Sequence, residues 1–304
     1  MTTADSERLQ RAELSLEGLS VGDSFGQMFF GPEETVRRQI ERRQKPASPW
    51  WLTDDSIMAV GVTEILRRYG AIDQDALAQL FAANHARSPQ RGYGATTQSL
   101  LRAVHDGGDW RELAPALFSG GGSYGNGAAM RVAPLGAYFA DDLERLLSQA
   151  ILSAEVTHSH PEGQAGAIAV AAAAAWAWNH RGDSNGRAML EFAFQQTPAG
   201  ETRAGLSRAL RLSLSYHVET AVSALGNGRN LSSQDTVPFA LWCAARCIGD
   251  FEEAMWTTVR GLGDRDTTCA IVGGVVALAA EETGPPAEWK ESREPLDDWR
   301  RLSG

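Results

Sequence analysis

The stretch GAIAVAAAAAWAW, residues 166 to 178, limits what this chain can fold into more than any other. It is apolar nearly all round, so as a helix it has no face to give to water and needs neighbours on every side. It is shorter than the roughly 18 apolar residues that would suggest a membrane span, which leaves the role of a central core helix. Its run of alanines lets those neighbours approach closely. Amphipathic helical patterns recur around it over 12–30, 54–69, 73–85, 94–106, 127–139, 141–158, 162–180, 186–196, 201–215, 236–247, 250–260 and 266–282. Alternating strand patterns bounded by hairpin turns are hard to find. The expected class is all-α.

With 304 residues and no Pro/Ser-rich linker inside the chain, one compact domain over 11–304 is expected, after a polar, loose N-terminus over 1–10. That domain includes a Pro- and charge-rich C-terminal segment, 283–304, with Trp289 and Trp299 as anchors onto the body. The charged first ten residues carry no signal-peptide core and no membrane span is expected, so the expected location is cytoplasmic. Cys243, Cys247 and Cys269 form no even framework and read as reduced, structural thiols. A net charge of −10 argues against a nucleic-acid partner, and it leaves room for a small anionic ligand at a local site. Nothing in the sequence fixes the oligomeric state, and a monomer is compatible with it.

Two acidic clusters precede apolar helices. In WWLTDDSIMAV, residues 50–60, Thr53, Asp54 and Asp55 stand at a helix start, where Thr is a good N-cap and acidic residues favour the positive end of the helix dipole. In GLGDRDTTCAIVGGVVALAA, residues 261–280, Asp264, Asp266 and Thr267 repeat the arrangement. Asp264 and Asp266 are two apart and converge only on a loop and first turn. Each cluster alone reads first as capping. Together, two oxygen-rich helix mouths facing one another suit two Mg²⁺ or Mn²⁺ ions about 3.5 to 4 Å apart across a shared carboxylate. The residues by themselves leave both readings standing. The segment GGGSYGNGAAMRVAPLG, 120–136, permits backbone amides to face a phosphate, although it matches no dinucleotide or triphosphate loop and also reads as a flexible loop. In THSHPEG, His158 and His160 lack a third zinc ligand at a usual spacing, and a hydrogen-bonding or helix-end role is the better reading.

Taken in order, GLSVGDSFGQ (18–27), LTDDSIMA, RGYG (91–94), SYGNGAAMRVAPLG, THSHPEG and GDRDTTCAIVGGVVA resemble the motifs of the ADP-ribosylglycohydrolase family, from about residue 15 to Trp289. The resemblance implies a compact, orthogonally packed helical domain and a metal-dependent hydrolase that cleaves the glycosidic bond between ADP-ribose and an acceptor. Thr53, Asp54, Asp55, Asp264, Asp266 and Thr267 would hold two Mg²⁺ or Mn²⁺, with Asp55 accepting a proton from water and Asp54 beside it. Ser123, Tyr124, Gly125, Asn126 and Gly127 would hold the diphosphate and adenosine, with His158 near the ribose. Many relatives carry a Glu shortly after the first-helix Gly-Asp pair, and the ungapped match here is Phe30. Either Glu33 or Glu34 swings in after Gly31-Pro32, or Phe30 is an apolar wall against the substrate and Asp264, Asp266, Thr267 and water hold the nearer metal. Three functions follow. They are a hydrolase of ADP-ribosylated side chains or small acceptors, a hydrolase of another ribosyl conjugate or nucleotide, and an ADP-ribose-binding member without catalysis.

Overall fold

A helix with no polar face belongs at the centre, and Pro161–Asn179 is there, with every residue from Gly163 to Ala177 except Gln164 buried. Pro161 opens it at a position where the missing N–H costs nothing, and His160 caps it, its Nδ1 accepting from the Glu162 amide at 3.0 Å. Helices Ala133–Tyr138, Leu143–Glu155, Gly186–Gln196, Ser233–Arg246 and Arg265–Ala279 pack around it. The computed structural model describes residues 3–280 and 284–300. Residues 1–2, 281–283 and 301–304 of the expected tail, last core helix and C-terminal segment lie outside the described residues. Among those described there are seventeen α-helices and no strand, only the isolated bridges Trp50–Arg293 and Gly125–Ser232. No helix among them is long and apolar enough to cross a membrane. All three cysteines are free and buried.

Two helices carry the acidic residues toward one another. Gly18, Gly22 and Gly26 recur every four residues and so form a stripe along the opening helix, Thr3–Gln27. A Cβ on them would stand 2.3 Å from the Gly273 carbonyl oxygen, 2.1 Å from that of Cys269 and 2.2 Å from that of Arg265. The contacts run down one helix as they run up the other, so Thr3–Gln27 and Arg265–Ala279 lie antiparallel, backbone against backbone. This close approach sets Asp23, the residue after Gly22, beside the start of the Arg265 helix.

An aromatic cluster then fixes the C-terminal segment to this pair. The rings of Phe25 and Trp289 stack with centroids 4.7 Å apart, and Trp50 meets both edge-on. Trp289 and Trp299 are buried, as anchors should be. The Trp50 amide donates to the Ser292 carbonyl at 2.7 Å, and the Glu294 amide to the Trp50 carbonyl at 2.9 Å.

Several boundaries differ from the periodicity. The opening helix includes residues 3–10 of the segment expected to be loose, where Leu9 is buried and Arg8, like Arg11 beyond it, pairs with Asp141. The expected helix over 127–139 is a short turn of 3-10 helix at Asn126–Ala128 and a separate helix from Ala133. Helices Glu33–Glu41, Trp110–Gly120 and Val218–Leu225 were absent from the sequence reading. The first has nine residues and buries only Val36 and Ile40, and the second ends in non-helical turns at Leu117, Phe118 and Ser119.

Candidate metal centre and ligand cavity

The helix Asp54–Tyr69 starts where Thr53 caps it, the Thr53 Oγ1 accepting from the Asp55 amide at 3.2 Å. Capping is therefore real at this mouth, and it is the threonine that does it. The carboxylates of Asp54 and Asp55 are free to face inward. At the other mouth Asp264 stands in the N-cap position of Arg265–Ala279 but makes no capping bond; its Oδ2 accepts from Asn126 Nδ2 at 2.7 Å. Asp266 follows in the first turn, so the two-residue spacing converges across the cap as expected.

These groups share one end of a cavity of about 410 Å³, lined by Asp54, Asp55, Asp264, Asp266 and Thr267. Thr53 sits behind them, outside the lining, its hydroxyl 2.7 Å from Asp23 Oδ1 and 3.0 Å from Asp55 Oδ2. Asp23 was not foreseen as part of the site. Its carboxylate accepts from the amides of Thr53 and Ser56 and from both their hydroxyls, so it ties the opening helix to the Asp54 helix. Carboxylate oxygens of Asp23, Asp55 and Asp266 all lie within 4.8 Å of one another. The available signal was that Asp23 is the only charged residue in GLSVGDSFGQ, residues 18–27.

So many carboxylates in one dry place is electrostatically costly. Burial first, then the charge of Asp266 against its hydrogen bonds, pushes Asp23 up to about 7. Burial and the charge of Asp264 push Asp266 up to about 8. Burial, then Asp266 and Asp23, holds Asp54 well above the usual carboxylate range, and burial, then Asp23 and Asp266, does the same for Asp55. None of the five forms an ion pair among the described residues. Asp55 Oδ1 and Asp266 Oδ1 are buried with no hydrogen-bond partner. Orphaned anionic oxygens on facing helices, with hydroxyls beside them, fit the all-oxygen coordination of a hard divalent cation.

The glycine-rich loop, Ser123 to Gly127, lines the cavity together with His158, and Gly92, Gly94 and Ala95 to Thr97 form another part of its wall. A second loop braces the glycine-rich one: the Asn126 amide donates to the Leu231 carbonyl at 3.1 Å, the Ser233 amide to the Tyr124 carbonyl at 3.0 Å, and the Ser233 hydroxyl to the Gly125 carbonyl at 3.0 Å. Asn126 Nδ2 also reaches Thr236 Oγ1, so the loop is tied to the second acidic mouth. A Cβ on Gly127 would stand 2.7 Å from the His158 ring, so loop and ring pack too closely for any side chain there. Phe118, Asn230 and Leu231, which sequence reasoning missed, also line the cavity. The exposed rings of Phe118 and Tyr124 lie 5.8 Å apart at its mouth.

Phe30, expected against the substrate, is absent from the cavity wall. The opening helix ends at Gln27, and Phe30 lies half-exposed under the Arg265 guanidinium, 4.9 Å from its ring. Glu33 and Glu34 start the next helix, pair with Arg37 and Arg38, and are not among the residues that line the cavity.

A sequence model of the family described as ADP-ribosylglycohydrolase matches residues 4–303. ADP-ribosylhydrolase ARH3 of Homo sapiens is 28% identical over 95% of this chain and 91% of its own length. An uncharacterized protein of Archaeoglobus fulgidus is 30% identical over 90% of this chain and 88% of its own. Among solved structures, a chain described as an ADP-ribosylglycohydrolase-related protein complex superposes with a TM-score of 0.65 at 22% identity, covering 98% of this chain and 97% of that one, which is a likeness of fold.

Proposed function

The chain belongs to the ADP-ribosylglycohydrolase family, whose members are hydrolases, and we propose that it cleaves the bond at ribose C1″ between ADP-ribose and an acceptor in a reaction that needs two Mg²⁺ or Mn²⁺. The observation that carries this reading is that partnerless aspartate oxygens and the Ser123–Gly127 loop line one and the same cavity. Asp54, Asp55, Asp264, Asp266 and Thr267 would hold the ions directly. Thr53 would add a hydroxyl from behind Asp55, oriented by Asp23. Bound there, the cations supply Lewis acidity toward the ribose oxygens and lower the pKa of nearby water.

The chain's own groups account for the rest. The Gly125 and Asn126 amides are held by Ser123 Oγ and the Leu231 carbonyl, which leaves the Gly127 amide to face a diphosphate oxygen. The aromatic pair at the mouth, Phe118 and Tyr124, offers flat faces to a base. Asp55 would accept the proton of an attacking water, a role supported by its Oδ1 having no protein partner. Positive charge developing at C1″ is stabilised by the surrounding carboxylates in a site where burial strengthens the interaction. The products are free ADP-ribose and the unmodified acceptor, a protein side chain or a small molecule.

Five clustered aspartates, of which Asp23, Asp54 and Asp55 are buried, favour catalysis over binding alone, because a pocket that only held ADP-ribose would gain nothing from that repulsion. Incubation of the purified protein with Mg²⁺ or Mn²⁺ and a panel of arginine-, serine- and small-molecule-linked ADP-ribose tests the reading. Release of free ADP-ribose from at least one member is expected. Tight ADP-ribose binding with no release from any would leave a binding protein.

A further inference from the structure

Arg131 is the most deeply buried cation described in the protein, fully inaccessible and without a carboxylate partner. Its guanidinium lies 4.6 Å over the Phe81 ring, and its Nη2 donates to the Ser153 carbonyl at 2.7 Å and to Thr157 Oγ1 at 2.9 Å. Thr157 Oγ1 is in turn 2.7 Å from His158 Nδ1. An arginine can only donate, so the Thr157 oxygen is its acceptor and the single Thr157 hydroxyl proton must go elsewhere. The one acceptor within reach is His158 Nδ1. The reverse arrangement, with Nδ1–H donating to the threonine, would leave that hydroxyl proton buried with no acceptor.

We propose that Arg131 and Thr157 are positioning residues that lock His158 in the Nε2–H tautomer, so that the ring presents one fixed donor to an oxygen of the ligand lying on the Ser123–Gly127 loop. The proposal rests on the ADP-ribose reading for the identity of that oxygen, a phosphate or ribose one. Nε2 is the atom nearest to where a Cβ of Gly125 would lie, at 3.1 Å, and it would stand 2.9 Å from one on Gly127; no hydrogen bond occupies it among the described residues. Burial, and then the Arg131 charge, pushes His158 down to about 3, so the ring is neutral and carries one N–H. A neutral imidazole unlocked at Nδ1 would divide between two tautomers, one of which turns a lone pair toward the anion.

The test uses the full-length protein with ¹⁵N-labelled histidine. In the wild type, long-range ¹H–¹⁵N spectra should show His158 protonated at Nε2 and bare at Nδ1. Thr157→Val, which keeps the shape and removes the hydroxyl, should shift that signature toward Nδ1–H and weaken ADP-ribose binding, by calorimetry in Mg²⁺ buffer, about tenfold, or about 1.4 kcal/mol. Thr157→Ser should restore both. A wild-type His158 protonated at Nδ1 would overturn the lock without recourse to any variant, and so would a folded Thr157→Val protein with native ADP-ribose affinity. Failure of the wild type to bind ADP-ribose would instead remove the functional reading, and the wild-type spectrum would still decide the tautomer.

Discussion

Gly127 and His158 show how single residues shape the ligand end of the cavity. Because a Cβ at position 127 would meet the His158 ring at 2.7 Å, Gly127→Val must displace either the loop or the ring. ADP-ribose affinity should fall at least tenfold, about 1.4 kcal/mol, by calorimetry, and an unchanged affinity would remove the loop from the ligand site. His158 also leaves a trace in stability. Its folded pKa, about 3, lies below the ordinary 6.5, so the folded state binds fewer protons than the unfolded one. Its contribution is therefore complete above about pH 6.5 and is lost as the pH falls from there toward about 3. Urea midpoints measured from about pH 7 down to about pH 4 should drop more steeply for the wild type than for His158→Gln. Parallel curves would show that the ring titrates normally. Most of these residues were visible in the sequence as members of ordered motifs. Thr157 and Arg131 stood inside quoted motifs with no reason to single them out, because their role depends on a contact across 26 residues. Asp23 was passed over for the same cause: its partners, Thr53 and Ser56, are 30 and 33 positions away.

At the scale of the element, the contact between Thr3–Gln27 and Arg265–Ala279 decides whether the acidic mouths meet at all. Gly→Ala in an exposed helix normally stabilises by up to about 1 kcal/mol. At Gly22 the sign reverses, because the new methyl would stand 2.1 Å from the Cys269 carbonyl oxygen, and overpacking of this kind costs about 1–3 kcal/mol. Gly22→Ala should lower the urea midpoint and also weaken metal-dependent activity, since Asp23 is the next residue; a variant as stable as the wild type would contradict the backbone contact. Long, strongly patterned helices were legible: the sequence gives 54–69 and the structure Asp54–Tyr69, and 186–196 matches Gly186–Gln196. The ungapped match that sets Phe30 at the position of the relatives' Glu says nothing of where the opening helix stops. Its last helical residue is Gln27, and three residues of turn swing the ring onto Arg265.

Over the whole molecule, the C-terminal segment closes a chain of contacts that ends at the site. Glu294 accepts twice from Arg91, at 2.7 and 2.8 Å, and from the Leu52 amide at 3.2 Å, and the Arg91 carbonyl accepts from the Asp54 amide at 2.7 Å. Arg91 and Glu294 are both largely buried, so Glu294→Ala leaves a cation without its partner beside the first acidic mouth, a loss of about 3 kcal/mol. Thermal unfolding should register it, together with a reduced rate of ADP-ribose release; full activity at native stability would show that the segment is passive. The sequence named Trp289 and Trp299 as anchors but could not show that they hold Glu294 over Arg91, because that pairing spans 203 positions. The central claim is that the aspartates at the two helix mouths hold cations that the reaction requires. The most direct measurement strips the protein with a chelator, returns Mg²⁺ or Mn²⁺ in steps, and follows release of free ADP-ribose by the wild type beside Asp55→Ala and Asp266→Ala, with circular dichroism confirming that all three are folded. The wild type should be silent without cation and regain activity as it is added, while both variants stay inactive at every concentration. Hydrolysis that survives the chelator, or full turnover in either folded variant, would contradict the account.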